Sequence, residues 1–355
     1  MRPRSKTSVF TSYLAPFYPP FRASKVSTKS SNDTLPKASF EPKVMKNPLP
    51  PSPPLSTHKK SSEEILLDPY NYLLANPGKS FRTKFIQAFD YWLQVPKADL
   101  EIITNVIDML HTSSLLIDDV EDDSQLRRGI PVAHKIFGVP ATINSANYVY
   151  FMALQEILKM KKPELVTVFT EEMLALHEGQ GMDLYWRDTL TCPGEDEYLT
   201  MVANKTGGLL RLAVKLMQHC SASEVDYVEL VDKFGVYFQV RDDYMNLRST
   251  AYSDNKGFCE DLQEGKFSFP VIHSMNQKPD DHQLKSILKQ KTTDPDVKRY
   301  ALRLMENTDS FQYTLEFLAQ QEIDIRATIK KLEGNPYLEK AFDMLCKGCQ
   351  VPASK

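Results

Sequence analysis

Cysteine is scarce in this chain. Five cysteines in 355 residues, an odd number spread without a secretory signal, give no disulfide framework and point to a reducing compartment. Cys346 and Cys349 form one CxxC near the C-terminus. No second pair stands at zinc-site spacing, so two incidental thiols are the simpler reading. No run approaches the ~20 apolar residues needed to cross a bilayer, which argues against a transmembrane segment and makes any greasy substrate come to the protein. Series of short alternating segments and fixed-period repeats are also missing, which removes the signature of a sheet or a solenoid.

Acidic residues are nearly absent from the start of the chain, where the first is Asp33. Residues 1–60 hold eleven Lys/Arg against two Asp/Glu, a net of +9 against −12 for residues 61–355. The same stretch holds eleven of the 23 prolines among many Ser and Thr. Such a composition buries too little apolar surface to offset chain entropy, so a disordered basic extension is expected. The opening MRPRSKTSVFTS has the composition of an organellar transit peptide, but Pro16, Pro19 and Pro20 interrupt any amphipathic helix there. The C-terminal ASK is not the peroxisomal SKL. Cytoplasm is therefore the default address, with organellar targeting left open. With the basic excess confined to the tail, no nucleic-acid partner is expected.

From Glu63 onward apolar residues recur at helical spacing, which predicts an all-α fold in one domain over residues 61–355. Ile103, Val106, Ile107, Leu110, Ser114 and Ile117 share one helix face. Similar patterns cover roughly 140–161, 163–187, 205–220, 224–248 and 309–335, separated by breakers such as Gly129 with Pro131, Pro140, Pro163 and Pro193 with Gly194.

Two of these helices end in acid. LLIDDVEDDSQLRRG brings Asp118, Asp119, Asp122 and Asp123 into about one turn, with Asp118 and Asp122 at i and i+4 on one face. A structural helix gains nothing from four mutually repelling carboxylates, whereas a cation removes the conflict. Oxygen ligands without His or Cys suit a hard ion such as Mg²⁺. FQVRDDYMNLRS repeats the pattern with Asp242 and Asn246, and with Gln239 one turn earlier. One acidic helix end is commonly just solvated; two DDxx(D/N) segments suggest a diphosphate held between them through metal. Arg127 and Arg128, with Lys79, Arg82 and Lys84 of PGKSFRTKF, supply cations that would clamp a second diphosphate directly.

DDVED and RDDYMNL, with PGKSFR before them and FCEDLQEGKFSFP after, resemble the motifs of the trans-isoprenyl diphosphate synthases, most of all the fungal geranylgeranyl diphosphate synthases. The resemblance implies an all-α, isoprenoid-synthase-type bundle around a central cavity, normally a homodimer or higher homo-oligomer. It implies elongation of dimethylallyl, geranyl or farnesyl diphosphate by isopentenyl diphosphate, supplying a diterpenoid or prenylation pathway. Asp118, Asp122 and Asp242 would then ligate Mg²⁺, with Asp119 and Asp243 completing the pairs. Lys79, Arg82, His111 and Arg128 would hold isopentenyl diphosphate. Arg127, Lys205, Thr206, Gln239, Asn246, Lys256 and Lys266 would hold the allylic diphosphate. The amide at Asn246, where the wider family has a carboxylate, suits a hydrogen bond better than a metal.

The resemblance further implies that small side chains at Ser113 and Ser114, beneath the first motif, would let a growing chain pass, and that Tyr150, Phe151 and His177 would close the pocket deeper down. Close helix packing is the competing explanation for the serines. A farnesyl diphosphate synthase, a class I terpene cyclase and a noncatalytic partner subunit are the alternatives. A cyclase needs no second diphosphate clamp, and RDDYMNLRSTAYSD does not follow its (N/D)DxxSxxxE pattern. A partner subunit would have lost one of the motifs.

Overall fold

The structure is a computed structural model that describes residues 60–78, 81–248 and 258–347. The basic extension expected to be disordered lies, up to residue 59, outside the described residues, as do Lys79, Lys256 and Cys349. The described residues form one compact unit.

Among the described residues are sixteen helices and one small hairpin. The first half runs α1 (Ser62–Leu66), α2 (Asp68–Leu74), α3 (Phe81–Leu93), α4 (Lys97–Glu121), β1 (Leu126–Arg127), β2 (Ile130–Pro131), α5 (Ala133–Phe137), α6 (Val139–Lys159) and α7 (Pro163–Thr189). The second half runs α8 (Glu195–Lys205), α9 (Gly207–Gln218), α10 (Val228–Arg248), α11 (Glu260–Glu264), α12 (Phe269–Gln277), α13 (Gln283–Gln290), α14 (Pro295–Glu306), α15 (Ser310–Lys331) and α16 (Pro336–Cys346).

Local chemistry sets many of these boundaries. Ser61 and Glu64 form a reciprocal capping box on α1. Proline opens α6, α7, α12, α14 and α16 in the first turn, where its missing N–H has no helical partner to lose. Ile103, Val106, Ile107 and Leu110 of α4 are fully buried, each contributing roughly 1.5–3 kcal/mol by leaving water. Phe85, Phe89, Phe234 and Phe342 meet in edge-to-face and tilted contacts that close the core around α3, α10 and α16.

Helix α4 corrects one reading of the sequence. Its mean hydropathy reaches 1.3, long and apolar enough to cross a membrane by length and composition alone. Here it packs against α6 and α9, and its polar end carries the first aspartate motif. The hairpin was not legible as a sheet either. Two-residue strands pair Leu126 with Pro131 and Arg127 with Ile130 around a turn in which Arg128 (φ 56°) and Gly129 (φ 81°) are both left-handed.

Candidate active site

Helix α4 ends inside the first aspartate motif, and this splits the four acids. Asp118 and Asp119 belong to the last turn, Asp122 caps the helix, and Asp123 turns into the left-handed region (φ 49°). Asp123 thereby leaves for the surface, where Lys135 donates to it at 2.7 Å. Asp119 is buried and accepts from Arg127 Nε at 2.8 Å, while Arg127 Nη2 donates to Asp118 at 3.1 Å. Asp122 accepts from Arg187 Nη1 at 2.7 Å on one oxygen and from Lys266 Nζ at 2.8 Å on the other. Burial pushes the Asp122 carboxyl up to about 6 against the pull of Lys266, and neighbouring Asp118 and Glu264 add to the rise.

The second motif on α10 is divided in the same way. Asp242 stays half-buried, whereas Asp243 is buried and accepts from Gln239 Nε2 at 2.8 Å, the Phe269 backbone N–H at 2.8 Å and the Tyr198 hydroxyl. Burial pushes Asp243 up to about 6 despite these three donors. Asn246 is buried, and its Oδ1 accepts the Asp261 N–H at 3.3 Å, so it braces the segment leading to Lys266.

The break between α8 and α9 joins the two motifs. Lys205 Nζ pairs with Asp183 and stands 3.8 Å from Asp118, while the adjacent Thr206 hydroxyl donates to Gln239 Oε1 at 2.6 Å. Gln239 in turn holds Asp243. Burial opposes the Lys205 charge, but Asp183 and Asp118 more than restore it and hold the ammonium above its ordinary value. Two glycines permit this geometry. A Cβ on Gly179 of α7 would stand 2.6 Å from the Lys205 nitrogen, and one on Gly235 of α10 would stand 2.6 Å from the Gly207 Cα.

A separate cationic group lies beside α4. Arg82 Nη1 is 3.0 Å from His111 Nε2. Burial, with Arg82, Arg128 and Arg127 nearby, holds His111 well below its ordinary value, so the neutral ring accepts this bond. Burial also pulls Arg82 down to about 10, still charged at neutral pH, and its Nε has no hydrogen-bond partner among the described residues. Arg128 Nη1 donates to the Asn76 carbonyl at 2.6 Å. A Cβ on Gly78 would stand 2.9 Å from its Nη2, so the turn that leads to Lys79 abuts this guanidinium.

The profile described as polyprenyl synthetase matches residues 63–305. The chain belongs to the polyprenyl synthetase family. Its all-α bundle is the isoprenoid-synthase fold of that family. A geranylgeranyl pyrophosphate synthase of Mucor circinelloides f. lusitanicus is 57% identical over 289 residues, 81% of this chain and 95% of the relative. One of Hypoxylon pulicicidum is 60% identical over 263 residues, 74% and 68% of the two chains. A protein of Matsumurasca onukii named terpene synthase is 52% identical over 286 residues, 81% and 94%.

In this polyprenyl synthetase, residues beneath the first motif sort by helix phase. Ser113 is fully buried and its hydroxyl has no hydrogen-bond partner among the described residues, which fits close helix packing better than a pocket wall. Ser114, about 100° further round the helix, is half-buried and donates to the His111 carbonyl at 2.9 Å. Tyr150 and His177 meet edge to face at 5.9 Å between α6 and α7, and His177 Nδ1 donates to the Met173 carbonyl at 2.7 Å. Phe151 does not join them. It is 72% exposed in this chain, because adjacent helix positions cannot share a face.

The α7 segment GQGMDLYWRD holds residues that the sequence reading passed over. Gln180, Asp183 and Arg187 recur at i, i+3 and i+7. Gln180 Nε2 donates to Glu121 at 2.6 Å and approaches Asp118 at 3.5 Å, and Arg187 Nη2 donates to the Glu121 carbonyl at 3.1 Å. Their common face was the available signal. Six carboxylates (Asp118, Asp119, Glu121, Asp122, Asp183 and Glu264) are thus drawn together with Arg127, Arg187, Lys205 and Lys266. Negative charge is in excess, and all the acidic donors are oxygens. No group of three or more His, Cys, Asp or Glu among the described residues is arranged to hold an ion by itself. The donor set therefore fits Mg²⁺, which takes one or two carboxylates and completes its shell with water and phosphate oxygens.

Proposed function

We propose that the chain extends allylic diphosphates with isopentenyl diphosphate and that its product is geranylgeranyl diphosphate. The observation that carries this reading is the α8–α9 break, where neighbouring residues reach the two aspartate motifs at once, with Arg82, His111 and Arg128 forming a second cationic site apart from it. One diphosphate lies between the motifs and one against the guanidiniums. The geranylgeranyl pyrophosphate synthase names of close relatives support the same chemistry.

Lys205, Lys266 and Arg127 face the leaving diphosphate and stabilise the charge it develops as the allylic C–O bond breaks. Asp118, Asp122 and Asp242 would hold Mg²⁺, which would supply Lewis-acid stabilisation of that same charge. Arg82 and Arg128 bind isopentenyl diphosphate. The neutral His111 ring accepts from Arg82 and fixes the direction of its guanidinium, which places the nucleophilic double bond against the allylic carbon. The apolar faces of α4 and its neighbours exclude water from the carbocation, and the released diphosphate takes the proton. The half-buried Ser114 leaves room for the chain to pass, and Tyr150, with the exposed His177 against its ring, closes the space beneath. A homodimer is part of the proposal: Phe151 and Leu158 of α6, with Leu174, Met182 and Tyr185 of α7, leave an apolar surface that a second copy would cover. Sedimentation of the purified chain tests that contact.

The relative named terpene synthase favours a second reading, in which a prenyl diphosphate is ionised and cyclised without a partner. One experiment separates the two. The purified chain is incubated with Mg²⁺, isopentenyl diphosphate and each allylic primer, and the dephosphorylated products are chromatographed. Consumption of isopentenyl diphosphate with a C20 alcohol is expected. A cyclic hydrocarbon formed from geranylgeranyl diphosphate alone, without isopentenyl consumption, overturns the proposal.

A further inference from the structure

Beneath the α8–α9 break lies an ionic cluster that the site so far described does not use. Arg211 of α9 is buried and spreads its guanidinium over three helices. Its Nε donates to Glu172 of α7 at 2.7 Å, and its Nη1 donates to Asp232 of α10 at 2.7 Å and to the Ala203 carbonyl of α8 at 3.1 Å. Nη2 reaches Asn204 Oδ1 at 3.4 Å. Glu172, itself 4% exposed, takes Lys215 Nζ on its other oxygen at 2.6 Å.

Burial of such groups is costly, and well-packed apolar side chains commonly serve stability as well. Two positive and two negative charges also cancel, so the cluster adds little net field to the site above it. What it does fix is geometry. The α8 ladder stops with the Thr206 N–H on the Val202 carbonyl, and the next carbonyl, that of Ala203, accepts from Arg211. Ala203 and Asn204 are the two residues directly before Lys205. Gly179 and Gly235 set how closely α7 and α10 approach the break, and the planar fork of Arg211 sets its rotation.

We propose that Arg211, held by Glu172 and Asp232, is a positioning residue that aims the Lys205 ammonium at Asp118 and Asp183 and the Thr206 hydroxyl at Gln239. The inference rests on the reading that Lys205 and Thr206 bind the allylic diphosphate. Because the fork matters and the charge alone does not, Arg211→Lys is the informative variant. A lysine keeps the charge beside Glu172 and Asp232 but cannot span the carboxylates and the Ala203 carbonyl together.

The test is steady-state kinetics of the full chain for each substrate, with melting temperature and far-UV circular dichroism in parallel, on Arg211→Lys, Asp232→Asn and Lys205→Gln. For Arg211→Lys, kcat/KM for the allylic diphosphate is expected to fall at least about tenfold while KM for isopentenyl diphosphate stays within about twofold, as a small misplacement of a binding group allows. Asp232→Asn, whose partly exposed site tolerates substitution, is expected to show a smaller loss of the same selectivity, and it carries the test if Arg211→Lys does not fold. Equal loss for both substrates, or no loss, overturns the positioning role. If Lys205→Gln impairs allylic kinetics while the Arg211 and Asp232 variants do not, only this inference fails. If Lys205→Gln leaves allylic kinetics unchanged, the assignment of the break to that substrate fails and takes the inference with it.

Discussion

Asp243→Asn is expected to make the enzyme more stable and less active. The buried Asp243 carboxylate is pushed up to about 6 from 3.8 by burial, although Tyr198, Phe269 and Gln239 all donate to it. A rise of that size places at most about 3 kcal/mol of penalty on the ionised form in the folded state, at 1.36 kcal/mol per unit. An amide avoids the penalty without orphaning its neighbours. Its oxygen replaces Oδ2, which accepts from Tyr198 and Phe269, and its NH2 replaces Oδ1, which accepts from Gln239. If the Gln239 amide turns over, its oxygen accepts from the new NH2 and its own NH2 donates to the Thr206 oxygen. The new amide, Gln239 and Thr206 stay linked, but the bond between Gln239 and Thr206 now runs the other way and frees the Thr206 hydroxyl proton, which alters the hydroxyl presented at the break.

The pH dependence follows from the direction of the shift. Below about 4 the group is protonated in both the folded and unfolded chain, so it contributes no difference. Between about 4 and 6 the folded state binds the extra proton, and stability falls as pH rises. Above about 6 the penalty is complete. The advantage of the variant should therefore be full at pH 7.5, roughly 5 °C in melting temperature for a fold of this size, and should shrink steadily toward pH 5. Differential scanning fluorimetry in Mg²⁺-free buffer across pH 5–8, beside turnover at pH 7.5, makes the measurement. A variant that melts at or below the wild-type temperature at pH 7.5, or an advantage independent of pH, refutes the reasoning.

Asp118→Asn is expected to lower turnover at least about a hundredfold with the helical circular dichroism intact, because its carboxylate is assigned to the diphosphate site; near-normal rates at saturating Mg²⁺ remove that role. Ser114→Phe should move the product toward a C15 alcohol, and His177→Ala toward chains longer than C20, as judged by chromatography; unchanged products from an active Ser114→Phe enzyme mean that the chain runs elsewhere. Gly179→Ala should cost about 1–3 kcal/mol in denaturant unfolding and most of the activity, since the new methyl meets Lys205 backbone at 2.6 Å. Removing residues 1–59 should leave kcat/KM within about threefold, because the family match begins at residue 63 and the described site contacts lie beyond it; a tenfold loss assigns the tail to the site or to the dimer contact.

Sequence by itself determined the helices, the order of the motifs and the kind of chemistry. Apolar residues at steps of three and four specify which side of α4 is buried whatever it packs against, and Ile103, Val106, Ile107 and Leu110 are all fully buried. Duplicated acid after an apolar run is likewise a local signal, and it singled out Asp118, Asp122 and Asp242 as candidates without a structure. Tertiary structure alone decided which protein groups each member of the motifs meets. Asp119, Asp243 and Asn246 read from sequence as members of the motifs, yet Arg127, Tyr198 with Phe269, and the Asp261 backbone claim them. Arg128 and Arg127 part company because a turn with two left-handed residues sends neighbours to different partners. The meeting of Lys205 and Thr206 with motifs far away in sequence depends on Gly179 and Gly235 letting backbones touch and on Arg211 holding the break from below. None of these is visible locally, since a buried charge is specified by its partner, and the partner lies on a helix that only the fold brings near.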